Sequence, residues 1–144
     1  MFSGKYFHNI DAKGRIIIPA KFREQLGEHF MIAEGFEGCL FVYPMDVWEE
    51  LTESLAKLPS NQKSARFLQR TFFAGANDVE PDKQGKVLIS QQHRDFASLS
   101  KEVVVIGVNK RVEIWDVNRW QEYSLDDEEM SVEDAAESLE GISF

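Results

Sequence analysis

The sequence predicts an α+β fold, mainly β, in which two internal repeats pair about a pseudo-two-fold axis into one small β-barrel with peripheral helices. Three observations carry that prediction. A chain of 144 residues is the size of one ordinary domain, so neither half buries enough apolar surface to stand alone. Short β-branched runs recur between turn residues, which is a strand pattern. The runs also come in the same order twice. A shift of 71 positions lays Asp11 on Asp82, Lys13 on Gln84, Gly14 on Gly85, Arg15 on Lys86 and Arg23 on Arg94. A shift of 72 then lays Gly35 on Gly107, Trp48 on Trp120 and Glu49 on Gln121. Pairing the two repeats into a closed barrel would remove their exposed strand edges.

Each half reads as strand, Asp-x-x-Gly turn, strand, short helix, strand, turn, strand, helix. Asp11 and Asp82 can accept hydrogen bonds from nearby backbone amides, and Gly14 and Gly85 can take the positive φ that closes a tight turn. The strands after the turns, 15–18 and 86–89, are ended by Pro19 and Ser90. Apolar runs at 30–33, 40–43, 103–108 and 112–115 supply the remaining strands, joined within each half by "EGFEG" and "GVNKR". Asp46 with Glu49, and Asn118 with Gln121, have capping-box spacing and predict helix starts. Trp48, Leu51, Leu55 and Leu58 then share one helical face, which places Trp48 in the core. After a break at Pro59 and Ser60, residues 61–74 resume as a helix, with Ala65, Leu68 and Phe72 opposite Lys63, Arg66 and Arg70. At the end of the chain, Ser131 caps a short amphipathic stretch carrying Val132, Ala135, Ala136 and Leu139. The expected units are repeat 1 at 5–47, connecting helices at 48–75, repeat 2 at 76–119, and a helix end with an acidic tail at 120–144.

Charge is unevenly spread. The formal net charge of −9 resides in residues 122–144, which hold nine acids and no Lys or Arg; the rest of the chain is balanced. Within that balanced part, residues 1–23 carry Lys5, Lys13, Arg15, Lys21 and Arg23 against Asp11 alone, whereas 24–56 hold eight acids and no Lys or Arg. The first segment is therefore a basic island able to steer an anionic ligand. No apolar run reaches the ~18 residues a membrane helix needs, and the N-terminus lacks the pattern of a secretory signal, so an intracellular location without membrane partners is expected. The single cysteine, Cys39, lies in an apolar run and reads as a small buried hydrophobe. His8, His29 and His93 show no metal-ligand spacing, and no phosphate loop or nucleophile elbow is present. His29 reads as a loop residue and His93 as a helix-surface residue. The expectation is a protein that is not an enzyme and uses no cofactor or metal.

The motif "DAKGRIIIP", its weaker echo "DKQGKVLIS", and the two hairpins "GFEGCLFVYP" and "GVNKRVEIWD" resemble the bacterial MraZ family of transcriptional regulators. The resemblance covers residues 1 to about 125 and leaves the acidic tail outside. It implies an AbrB-like swapped-hairpin, or double-split, barrel with both units in one chain. It also implies a ring-shaped homo-oligomer, in the cytoplasm and on the nucleoid, that binds double-stranded DNA. The implied targets are short direct repeats upstream of the division and cell-wall operon that contains its own gene. By motif position the family's DNA contact falls on Asp11 and Arg15.

A guanidinium can bond bidentately to O6 and N7 of guanine, so Arg15 is the first candidate for reading a base. Lys86, its counterpart, is a point charge without that fork, so the second repeat is expected to hold phosphate. A lone Arg at a strand end is ordinarily a solvated cation, but Lys5, Lys13, Lys21 and Arg23 flank this one in the sequence, and Lys83 and Lys86 are the matching candidates of the second motif. Asp11, Gly14, Asp82 and Gly85 are expected to support the turns, Asp11 also orienting Arg15. Islands repeated around a ring would add through avidity. The competing reading is an AbrB-like antitoxin, or another interaction module, whose acidic tail binds a basic partner.

Overall fold

The computed structural model describes residues 1–125 and 130–143. The first half contains β1 (Lys5–Asn9), β2 (Arg15–Ile17), α1 (Ala20–Leu26), β3 (Phe30–Glu34), β4 (Leu40–Pro44) and α2 (Met45–Ala56). After α3 (Lys63–Ala74) the order repeats as β5 (Asn77–Val79), β6 (Lys86–Leu88), α4 (Gln91–Phe96), β7 (Glu102–Val108), β8 (Arg111–Asp116) and α5 (Val117–Leu125). A last helix, α6 (Val132–Ser138), is capped by Ser131, whose hydroxyl accepts from the Asp134 amide at 3.0 Å. The four-acid run at 126–129 lies outside the described residues.

Six strands form one antiparallel sheet in the order β1-β7-β8-β4-β3-β5, and β2 pairs antiparallel with β6 in a separate ladder. The halves exchange partners: β1 of the first pairs with β7 of the second, and β5 of the second pairs with β3 of the first. The fold is therefore α+β as expected, but the expected closed barrel is not present. The six-stranded sheet stays open, with β1 and β5 at its edges, because β2 and β6 are only three residues long and pair with each other alone.

The sheet is covered on both faces, which explains why "VVVIGV" is continuously apolar rather than alternating. Val103 and Val105 point to one core with Ile16, Ile18, Phe22, Val87 and Ile89, whereas Val104 and Ile106 point to the other with Trp48, Phe72 and Trp115. The β2–β6 ladder and α1 thus cover the first face, and α2 and α3 cover the second. Phe22 is fully buried and meets Phe2 and Tyr6 edge-on, at 5.8 and 5.3 Å between ring centroids. Removing such a ring typically costs ~3 to 5 kcal/mol. Cys39 is buried as expected, and desolvation pushes its thiol above the ordinary range.

Three local expectations are corrected. Neither capping box forms: α2 begins directly after Pro44 with no side-chain cap, and Asp116, not Asn118, caps α5 by accepting from the Asn118 and Arg119 amides at 3.1 and 3.4 Å. Both helices run straight out of a strand, so the cap position falls on the last strand residue. His93 is not on the surface. It is 1% exposed, on the side of α4 that packs against β3, with Nε2 2.7 Å from the Gly75 carbonyl oxygen, so a polar ring is satisfied inside the core. Leu68 remains exposed on α3, while Ala65 and Phe72 are buried.

Candidate nucleic-acid interface

The two Asp-x-x-Gly turns are built alike. In the first, the Asp11 carboxylate oxygen Oδ1 accepts from the Lys13 and Arg15 amides, both at 2.9 Å, and the Asp11 carbonyl accepts from the Gly14 amide at 3.0 Å. In the second, Asp82 Oδ1 accepts from the Gln84 and Lys86 amides at 2.9 and 3.0 Å, and its carbonyl accepts from Gly85 at 2.9 Å. Gly14 and Gly85 adopt φ of 84° and 80°, a left-handed conformation that a side chain resists. The backbone N–H of Arg15 is the chief cause holding the Asp11 carboxyl below its ordinary value, and the N–H of Lys86 does the same for Asp82.

The β2–β6 ladder sets these turns side by side. Arg15 lies opposite Leu88, Ile16 opposite Val87 and Ile17 opposite Lys86. Beyond the ladder, the Ile18 amide donates to the Gly85 carbonyl at 2.9 Å and the Ile89 amide to the Gly14 carbonyl at 3.0 Å. The turns are clamped crosswise: the Arg23 guanidinium packs where a Cβ of Gly85 would stand, and that of Arg94 packs on Gly14. Arg23 also donates through Nε to the Ile18 carbonyl at 2.9 Å. Arg94 is a clamp that sequence reasoning left without a role. Its match to Arg23 under the repeat was the available signal.

The candidate residues fall into three groups. Arg15, Asp11, Asp82 and Lys86 come together. Arg15 Nε donates to Asp11 Oδ2 at 2.8 Å, its Nη1 lies 3.5 Å from Asp82 Oδ2, and Lys86 Nζ lies 3.8 Å from Asp11 Oδ2. Asp11 therefore holds the turn with one oxygen and aims the guanidinium with the other, as in other charge-assisted pairs. Lys13 and Lys83 are exposed on the turns. Lys5 lies on β1, which runs beside β2, with Nζ 5.9 Å from the Phe7 ring centre, and Lys21 is exposed at the start of α1. Arg23, by contrast, is committed to the clamp.

The flanks of the ladder differ in charge. On the first side β1 exposes Lys5, Phe7 and Asn9. Under the repeat these positions become Ala76, Asp78 and Glu80, and Asp78 and Glu80 line a hollow together with Leu88. One end of a nearly symmetric surface is basic and aromatic, and the other is acidic. Among the described residues there is no cluster of three or more His, Cys, Asp or Glu able to hold a metal ion, and no helix is long and apolar enough to cross a membrane.

The comparisons with known proteins agree with the repeat. The MraZ family model, whose description includes the words antitoxin-like, matches the chain twice, at residues 1–71 and 72–141, so the acidic tail expected to lie outside the resemblance falls largely within it. A protein of Acetivibrio thermocellus named transcriptional regulator MraZ is 51% identical over 139 residues, 96% of each chain. Proteins of the same name from Finegoldia magna and Halothermothrix orenii are 47% and 49% identical over 144 residues, the full length of both chains in each case. With the duplicated turn, the exchanged strands and full-length relatives all in agreement, the chain belongs to the MraZ family.

Proposed function

We propose that this protein is a sequence-specific DNA-binding transcriptional regulator, not an enzyme, and that it engages double-stranded DNA through the β2–β6 ribbon and its two turns. The single observation that carries the reading is the placement of Arg15. It stands on the outer face of a two-stranded ribbon, aimed by Asp11, with exposed cations on both turns. The major groove admits a two-stranded ribbon, and a guanidinium aimed in advance loses little freedom on meeting guanine. The names of the full-length relatives support a role in transcription.

In the finer form of this reading, the exchanged β1–β7 and β5–β3 pairings are those of an AbrB-like swapped-hairpin unit, with repeats at 5–47 and 76–119, connecting helices at 48–75 and a tail at 120–144. Arg15 reads a base edge, while Lys5, Lys13, Lys21, Lys83 and Lys86 hold phosphates and Arg23 acts from behind the turn. Few phosphate contacts per subunit give weak binding that falls with salt. A ring-shaped homo-oligomer on direct repeats, upstream of the division and cell-wall operon that contains its own gene, multiplies those contacts. The acidic block at 24–56 and the tail then face away from the DNA or repel it where it is not wanted, in a cytoplasmic protein associated with the nucleoid.

Gel-shift of the fragment just upstream of its own gene, against an unrelated fragment of equal length, tests the reading. Preferential retardation of the upstream fragment is expected. Equal retardation of both would overturn sequence-specific binding, and copurification of a small basic protein that is lost on deleting residues 125–144 would favour the antitoxin reading instead.

A further inference from the structure

The outer face of the β2–β6 ribbon holds two large aliphatic side chains. Ile17 is 37% exposed and Leu88 59% exposed, while their neighbours Ile16, Ile18, Val87 and Ile89 fill the core. Strand alternation puts Arg15 and Ile17 on one face and Lys86 and Leu88 beside them. A ribbon facing only water would carry polar residues at those positions. In the major groove the apolar feature available at a base edge is the 5-methyl group of thymine.

The two aliphatics have different surroundings. Leu88 shares its hollow with Asp78 and Glu80, charges that repel a phosphate backbone. Ile17 lies opposite Lys86, on the strand beside β1, where Lys5 and Phe7 are exposed. Resting on the DNA-binding reading above, we infer that Ile17 is a specificity-determining residue that packs on the 5-methyl group of a thymine close to the guanine addressed by Arg15. Leu88, its partner under the repeat, has no such role. Residues two apart on a strand are separated by about 6.6 Å. That is close to two base steps of about 3.4 Å. A ribbon lying along the groove therefore places the thymine within about two steps of the guanine.

The test is binding to the upstream fragment prepared with thymine and, separately, with deoxyuridine, which lacks only the methyl group. The unaltered protein is expected to bind the deoxyuridine fragment about fourfold more weakly per contact, the worth of one buried methyl group. Ile17→Ala is expected to bind both fragments equally, and Leu88→Ala to keep the full preference for thymine. Equal binding of both fragments by the unaltered protein overturns the inference without depending on how any variant folds. A thymine preference that survives in Ile17→Ala overturns it too, as does a change in particle mass by light scattering in that variant, which would make Ile17 a subunit contact. No preference for the upstream fragment in the unaltered protein is the separate failure of the functional reading itself.

Discussion

The first and second Asp-x-x-Gly turns share one backbone and differ in what they display. Both use an aspartate to gather two amides, both close through a left-handed glycine, and each is clamped by an arginine from the other half. Around the first stand Arg15, Lys13 and Lys5; around the second stand Lys86, Lys83, Gln84, Asp78 and Glu80. The hydrogen bonds that build the ribbon come in symmetric pairs, so both copies are needed to fold it. On the proposed reading one guanidinium fork suffices to read DNA, which leaves the second display free to diverge.

The largest expected effect separates the displays. Arg15→Ala should lower discrimination between the upstream and unrelated fragments by about 5- to 150-fold, the range for one bidentate contact, with the melting temperature unchanged. Lys86→Arg should not restore it. Competition binding with both fragments checks each variant, and recovery of discrimination in the double variant would make the turns interchangeable. Next come the aspartates. Asp11 contacts both Arg15 and Lys86, whereas Asp82 reaches Arg15 only at 3.5 Å. Asp11→Ala should therefore weaken specific binding about tenfold and Asp82→Ala less, on the scale of one charge-assisted hydrogen bond.

Smaller effects probe the shared backbone. Gly14→Ala and Gly85→Ala should each destabilise by at least about 1 to 2 kcal/mol, and by similar amounts, because both must place a side chain at positive φ and displace the arginine packed on the turn. Chemical denaturation measures this, and a clearly unequal pair would break the symmetry of the scaffold. The smallest effect is acid sensitivity. Both carboxyls are held below the ordinary value of 3.8, so their stabilisation is complete above that pH and is lost only as pH falls through the lowered folded values. The stability gap between the unaltered protein and Asp11→Asn or Asp82→Asn should shrink below pH 3.8 and by similar amounts, as followed by acid unfolding curves.

Much of this was legible in the sequence because local chemistry determines it. An aspartate three residues before a glycine, followed by a β-branched run, specifies the turn and strand with little help from the rest of the chain. The pairing of β1 with β7 was not legible, because partner choice depends on both halves docking. Nor was the open sheet, since strand length decides closure and Ile18 and Ile89 stop just outside the ladder. His93 was misplaced because a polar residue in one short helix does not reveal that a carbonyl, that of Gly75, waits inside. In the site, the candidate cations were visible, but the commitment of Arg23 to the Gly85 turn was not, since a long side chain's partner can lie in the other repeat.

The division of labour between the turns is tested most directly by measuring salt dependence and specificity together for Arg15→Ala and Lys86→Ala. A phosphate-holding lysine should leave the ratio of specific to unrelated binding unchanged when removed, while the slope of log affinity against log salt falls by about one per contact. On the proposed reading, removing Arg15 should collapse the ratio. If Lys86→Ala collapses the ratio as far as Arg15→Ala does, the two turns read DNA alike and the asymmetry drawn between them is wrong.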